Sequence, residues 1–387
     1  MNHARRAAVA LLLLGAAAAP RAEPVPNLRI DPSMTTLSGL SSGGYMAVQL
    51  HVAYSSVFKR GVGVVAAGPW FCAEGQLRHA TGRCLKREGH EDGTPVDALV
   101  ATAKRLEGRG AIDALSNLRG SKVYLFSGAL DTAVVPPLVD DLARWYRAFD
   151  VELEQRKDVK AEHGMVTDDF GNACDQRGGA YIQNCGVDLA GDMLAYFYGP
   201  LNPRNDGAPR GRWREVDQSE FIAPGRGMGR TAKLYVPESC DTGQSGGCRL
   251  HVVLHGCGQN LDDVGDAYTH RTGYPRWADG NRIVLLFPQT GPEALHSCWD
   301  WWGYTGADYA TRTGMQVAAI KAMVDRLAGS AADCRRAFNA VHLMAGRALA
   351  GWWGAIRARG SGIALCWPWQ RSALALATPG HWVAGRC

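Results

Sequence analysis

Short apolar runs alternate with longer amphipathic stretches along most of this chain, the pattern of a mainly parallel sheet whose strands are joined by helices. Residues 34–40 predict a strand and residues 44–56 a helix, with Met46, Ala47, Leu50 and Val57 near one face. Two buried-strand patterns follow at 61–67 (GVGVVAA) and 122–127 (KVYLFS), then a helix over 138–149 and a short strand over 151–155. Residues 188–198 predict a helix that turns Leu189, Met193, Leu194 and Phe197 inward. Around 201–229 the residues turn to Pro, Gly, Asn and Arg, which predicts a surface crossing. Strands resume at 231–236 (TAKLYV), 249–254 (RLHVVL) and 282–287 (RIVLLF), and 315–327 predicts an amphipathic helix. No repeat, low-complexity linker or proline-rich hinge divides this stretch, so it predicts one α/β domain with a loop-rich middle.

The two ends differ from this pattern. Arg5 and Arg6 precede an uninterrupted small and apolar stretch over 7–19, the layout of a secretory signal peptide, with a cut expected after Ala22. The folded domain is then expected over 23–350. Beyond it, residues 352–369 are rich in Trp, Arg and small residues and carry no assignable period.

Composition narrows the class. The 387 residues are 46 % hydrophobic and 20 % charged, an ordinary soluble balance that excludes disorder, coiled coil and collagen. Lys and Arg number 42 against 37 Asp and Glu, a net charge of +5. With arginine scattered rather than in basic runs, that excess predicts no nucleic-acid partner. After the first 20 residues no apolar run approaches the ~20 residues a bilayer crossing needs, so no membrane insertion is expected.

Export makes the eleven cysteines legible as disulfides. Proximity in sequence pairs Cys72 with Cys84, Cys174 with Cys185, and Cys240 with Cys248, and suggests a longer bridge from Cys257 to Cys298. No C-x-x-C and no His/Cys cluster has ligand spacing, so no metal is expected.

Chemistry enters at Gly39-Leu40-Ser41-Ser42-Gly43, a G-x-S-x-G between a predicted strand and a predicted helix. Such a sharp turn needs small flanking residues for the serine to project from its crest, and the following helix points its N–H groups at a developing oxyanion. Ser41 needs a base and an orienting acid. Asp131 follows the 122–127 strand and His163 the next one, giving the α/β-hydrolase order Ser, Asp, His. Asp140 and Asp141 fall inside a helix, His51 is expected to point away from Ser41, and His79 and His90 lie in a polar stretch that reads as surface. Too little chain precedes the nucleophile strand to supply the usual oxyanion loop. His255-Gly256-Cys257-Gly258-Gln259, after the 249–254 strand, is such a loop in the wrong half of the chain. A circular permutation of the α/β-hydrolase fold resolves this.

Together these features resemble the poly(3-hydroxybutyrate) depolymerases, the secreted or periplasmic type with a circularly permuted catalytic domain. The matching blocks are 37–50 (LSGLSSGGYMAVQL), 128–131 (GALD), 163–174 (HGMVTDDFGNAC), 255–259 (HGCGQ) and 298–304 (CWDWWGY), within about 27–346. The resemblance implies Ser41 as nucleophile, His163 as general base and Asp131 as its orienter, with the N–H groups of Ser42 and Cys257 as oxyanion hole. It implies that Trp299, Trp302 and Tyr304 contact substrate, with Trp302 in the cleft and at least one tryptophan of the block buried. The expected reaction is ester hydrolysis of a polyester or hydroxybutyrate oligomer by a secreted monomer that needs no metal or organic cofactor. A carboxylesterase of feruloyl or acetyl-xylan type is the alternative enzyme, and a non-catalytic polyester-binding relative the alternative outside catalysis. No linker or separate polymer-binding domain is legible, which favours amorphous polymer or soluble oligomers. The family would continue past the 338–348 segment with a Gly-Ser-containing strand and turn. Its loss, with the odd cysteine count, makes a shift of reading frame the expectation for 351–387.

Overall fold

The computed structural model describes residues 22–87, 93–241, 247–329, 334–344, 348–350, 356–361, 363–365, 371–378 and 381–384. Four strands follow a short edge strand β1 (Glu23–Pro24) in its first half: β2 (Thr35–Leu40), β3 (Gly61–Val65), β4 (Lys122–Phe126) and β5 (Glu152–Arg156). A small parallel sheet comes next, made of β6 (Met165–Thr167), β7 (Asn172–Ala173) and β8 (Ile182–Asn184). The second half adds β9 (Arg212–Asp217), β10 (Thr231–Val236), β11 (Arg249–Leu254) and β12 (Ile283–Phe287). Nine of these make the main sheet, in the order β1-β9-β10-β12-β11-β2-β3-β4-β5. Only β10 runs against its neighbours.

That order shows the permutation. After the two-residue edge strand β1, the chain crosses to the middle of the sheet with β2, runs to one edge at β5, and returns to build the other side with β9 to β12. The strand that carries the His-Gly-x-Gly turn, β11, thereby pairs directly with β2, from Leu250 against Thr35 to Leu254 against Gly39.

Helices on both faces bury the central strands, which is why β2 and β3 read as continuous buried runs. The helix predicted over 44–56 is α1 (Ser42–Ala53), buried at every position including Met46, Ala47 and Leu50, and it ends before Val57. One face rests on β2 and β3, and the helix Met315–Ala328 and the tryptophan-rich loop cover the rest. On the opposite face, helix Leu189–Tyr198 lies so close that a Cβ at Gly63 would meet Met193 Sδ at 2.4 Å and one at Gly61 would meet Phe197 at 2.6 Å. The stretch read as a surface crossing contains β9, which pairs with β10 through all six of its residues. Its sequence, RWREVD, turns only Val216 fully inward, too weak a period to stand out beside the surrounding Pro and Gly.

All four expected disulfides are present: Cys72–Cys84, Cys174–Cys185, Cys240–Cys248 and Cys257–Cys298. Residues 1–21 of the expected signal peptide, together with His90, Cys366 and Cys387, lie outside the described residues. Further along, β13 (Cys334–Phe338), β14 (Ala348–Ala350), β15 (Ile356–Ala358), β16 (Arg371–Thr378) and β17 (His381–Ala384) form two small antiparallel sheets. Of these, β16 packs against the Met315–Ala328 helix.

Polar residues in the middle of a buried sheet must find partners. Thr36 Oγ1 lies 2.7 Å from His251 Nδ1 and 2.7 Å from Tyr198 Oη, and Ser38 Oγ lies 2.8 Å from His251 Nε2 and 2.7 Å from Tyr274 Oη. His51, at the far end of α1 from Ser41, is held the same way by Tyr146 and Ser121. Burial pushes His51 and His251 down to about 3 and His255 down to about 4. These rings are neutral in the folded protein, whereas the unfolded chain takes up protons below about pH 6.5. Stability is therefore full above that pH and falls as pH drops towards 4, by up to about 1.4 kcal/mol per pH unit for each histidine. Urea midpoints measured at pH 7, 6 and 5 should decline in that order, with a shallower decline in His251→Gln. A midpoint that stays level from pH 7 to pH 5 contradicts this.

Candidate active site

The turn between β2 and α1 places Ser41 at its crest. Ser41 has φ 56° and ψ −121°, a conformation that L residues avoid and that costs on the order of 1–3 kcal/mol. Its N–H donates to Val65 O at 2.9 Å, which ties the crest to β3. The flanking glycines are required by space. A Cβ at Gly39 would stand 2.1 Å from Gly43 O, and one at Gly43 would stand 2.3 Å from Leu254 O and 2.4 Å from His255 O. Backbone thus presses on backbone from the start of α1 to the end of β11.

Asp131 and His163 are brought together from different strand ends. His163 Nδ1 lies 2.8 Å from Asp131 Oδ2, while Asp131 Oδ1 accepts the N–H groups of Ala133 and Val134 at 2.8 Å each. Both side chains are buried. The carboxylate therefore holds the ring by Nδ1 and leaves Nε2 for other work, and His163 and Ser41 line one cavity. Glu162 ties the two loops: its carboxylate accepts the N–H of His163 and both the N–H and Oγ1–H of Thr132. Burial pushes the Glu162 carboxyl up, but those hydrogen bonds outweigh it and hold the group below its ordinary range.

The His-Gly-x-Gly turn is fixed peptide by peptide. The Thr290 N–H donates to His255 Nε2 at 3.2 Å, so the neutral ring carries its proton on Nδ1 and donates it to Gly256 O at 2.7 Å. Gripping that carbonyl turns the N–H of the same peptide, that of Cys257, the opposite way. Gln259 Oε1 accepts the Gly256 N–H at 2.6 Å, and His296 O accepts the Gly258 N–H at 3.0 Å. Cys257 and Ser42 are the expected donors whose N–H groups have no acceptor among the described residues. Gln259 Nε2 also reaches Ala180 O at 2.7 Å, joining this turn to the loop beyond His163.

The cavity over Ser41 measures about 440 Å³ and is mostly apolar. Its walls include Leu77, Leu85, Leu295, Trp301 and Trp302. Trp302 stands in the cleft as expected, but Trp299 and Tyr304 do not. Trp299 is fully buried beneath the turn, its Nε1–H donating to His255 O at 3.0 Å. The hydroxyl of Tyr304 donates to Cys298 O at 2.9 Å, behind the wall. Asp300 causes this sorting. Its carboxylate accepts the N–H groups of Trp302, Gly303, Tyr304 and Thr305, winding the loop so that Trp301 and Trp302 face the cavity and their neighbours face away. Trp301 also stacks on Tyr45 with ring centroids 4.2 Å apart. Glu162, Gln259 and Arg177, which also lines the cavity, were not legible as site residues. Only Gln259 had a signal, its place in the HGCGQ block. His79 is half-buried, 3.6 Å from Glu74 and outside the cavity.

Comparison with known proteins gives a consistent set. The family model described as Esterase PHB depolymerase matches residues 232–360. A poly(3-hydroxybutyrate) depolymerase of Delftia acidovorans is 51% identical over 327 residues, 84% of this chain and 65% of that protein, so the chain spans just under two thirds of that relative's length. A polyhydroxybutyrate depolymerase of Talaromyces funiculosus is 37% identical over 335 residues, 82% of this chain and 96% of that protein. Among solved structures, a PHB depolymerase variant complexed with an R3HB trimer superimposes with a TM-score of 0.71 at 34% identity, covering 79% of this chain and 99% of its own. The crystal structure of the PHB depolymerase from Penicillium funiculosum gives 0.71 at 35% identity with the same coverage.

The contact at Gly43 is the most sensitive point of this geometry. Gly43→Ala should lower stability by about 1–3 kcal/mol through overpacking against Leu254 and His255. It should also abolish labelling of Ser41 by a fluorophosphonate. Gly108→Ala, where the added Cβ meets nothing nearer than 3.6 Å, serves as control. Equal unfolding midpoints for the two variants would refute the argument.

Proposed function

The chain belongs to the PHB depolymerase esterase family, and from that premise we propose that it is a serine esterase acting on poly(3-hydroxybutyrate) or its oligomers. The observation that carries this reading is the His163–Asp131 pair at 2.8 Å, facing the cavity that Ser41 enters from a strained strand-to-helix turn.

In the proposed mechanism Ser41 Oγ attacks an ester carbonyl while His163 Nε2 takes the serine proton. Asp131 keeps the ring's other nitrogen protonated and stabilises the imidazolium. The Ser42 and Cys257 N–H groups receive the negative charge on the carbonyl oxygen. Collapse of the tetrahedral intermediate breaks the ester bond, and His163 gives its proton to the leaving alkoxide. Water then repeats the sequence on the acyl-enzyme, releasing the acid and restoring Ser41. Aliphatic and tryptophan walls suit a polyester whose repeat carries a methyl group and few hydrogen-bonding groups. The R3HB trimer held by a structural neighbour supports the same substrate class. Four disulfides support export to an oxidising compartment.

The test is clearing of an amorphous poly(3-hydroxybutyrate) suspension by the mature protein, with Ser41→Ala alongside. Ser41→Ala should lose on the order of 10⁴ to 10⁶ in rate, as removal of a triad member does elsewhere. Hydrolysis of p-nitrophenyl butyrate without clearing would redirect the reading to soluble oligomers. Equal clearing by Ser41→Ala would overturn it.

A further inference from the structure

Arg177 is the one permanently charged side chain among the residues that line the cavity, and no carboxylate lines it. It is placed by construction rather than by chance of a loose loop. The Cys174–Cys185 disulfide closes the segment that carries it. Within that segment Gln183 Nε2 donates to Gln176 O at 3.3 Å, and from just outside it Asn172 Nδ2 donates to Gly178 O at 2.9 Å, so the backbone is held on both sides of residue 177. The guanidinium donates from Nη1 to Thr132 Oγ1 at 3.3 Å. Thr132 follows Asp131 and is bonded to Glu162, so the cation stands on the His163 side of the cavity. Glu162 feels this charge, yet its oxygens already accept from Thr132 and His163, and among the described residues no carboxylate lies within 4.0 Å of the Arg177 guanidinium.

We propose that Arg177 receives the free carboxylate of a 3-hydroxyacyl oligomer cleaved at the ester bond nearest its carboxyl end. This rests on the esterase reading above and adds the substrate's charge to it. The alcohol released by such a cut is itself a β-hydroxy acid, so only a short spacer separates the leaving oxygen from its carboxylate. His163 must protonate that leaving oxygen, and Arg177 lies on the same side. To the neutral interior of a polymer the guanidinium offers only an ordinary hydrogen bond to an ester carbonyl. A charge-assisted, two-pronged bond to a carboxylate is among the stronger polar contacts available there. Arg177 is thus a specificity residue, one that favours chain ends and short acids over chain interiors.

The experiment compares the trimer of (R)-3-hydroxybutyrate as free acid with its methyl ester, on the mature protein, Arg177→Met and Arg177→Lys. Dividing the two kcat/KM values on each preparation removes any difference in folded fraction. The wild type should favour the acid by about tenfold or more, the scale of a hydrogen bond to a charged group. Arg177→Met should lose that preference, mainly through KM, and Arg177→Lys should regain part of it. In the wild type the preference should shrink as salt rises. An acid-to-ester ratio that is the same in wild type and Arg177→Met would overturn the proposal while leaving the esterase reading intact. Failure of the wild type to cleave either trimer would overturn the proposal, and only failure to clear the amorphous polymer as well would overturn the esterase reading.

Discussion

Everything at this site depends on one contact between two stretches of main chain. The first turn of α1 lies against the carbonyls of Leu254 and His255, closer than any side chain would permit, because residue 43 is glycine. The parallel pairing of β2 with β11 brings the two strand ends level, and the missing Cβ lets them close up. Ser41 and the His-Gly-x-Gly turn are then neighbours without any flexible side chain reaching between them. Rigid scaffolding of this kind is what preorganised hydrogen-bond donors require, since a donor that must reorient in the transition state loses its advantage.

Around that contact, the structure fixes which polar groups are free by occupying the others. His255 holds the Gly256 carbonyl, Gln259 takes the Gly256 N–H, and His296 takes the Gly258 N–H. Asp131 takes one nitrogen of His163 and two loop amides. Each satisfied group is removed from competition, and the Cys257 N–H is left turned away from the carbonyl that His255 grips. The Cys257–Cys298 disulfide fastens the same turn to the tryptophan loop, so the donors and the apolar wall are parts of one covalently closed unit.

Much of this was legible in the residues. The strand and helix periods located the sheet, and the pentapeptide around Ser41 stood out because its neighbours were strand-like before it and helix-like after it. The misplaced His-Gly-x-Gly turn was the clue to the permutation, since strand order in this sheet is set by geometry and not by where the chain begins. Where the structure departs from the pattern, the cause is local. Trp299 and Tyr304 share a run with Trp301 and Trp302, but the Asp300 carboxylate winds that run into a turn, and the residues on either side of Trp301 and Trp302 leave the cavity. Similarly, β9 borrows its inward face from pairing with β10 and shows almost no period of its own.

Residue spacing was enough to set the main strands and helices, their order, the disulfide partners and the reactive residue types, because a strand, a helix or a short covalent loop reads it directly. Which side of each loop faces the cavity was settled by folding alone. Arg177 and Trp301 face the cavity and Trp299 does not, as a result of a hydroxyl, an amide and a carboxylate contributed by distant or neighbouring residues, namely Thr132, Gln183 and Asp300. Those choices come from closing hydrogen bonds between segments whose separation along the chain carries no period. They exist only once the sheet has brought the segments together.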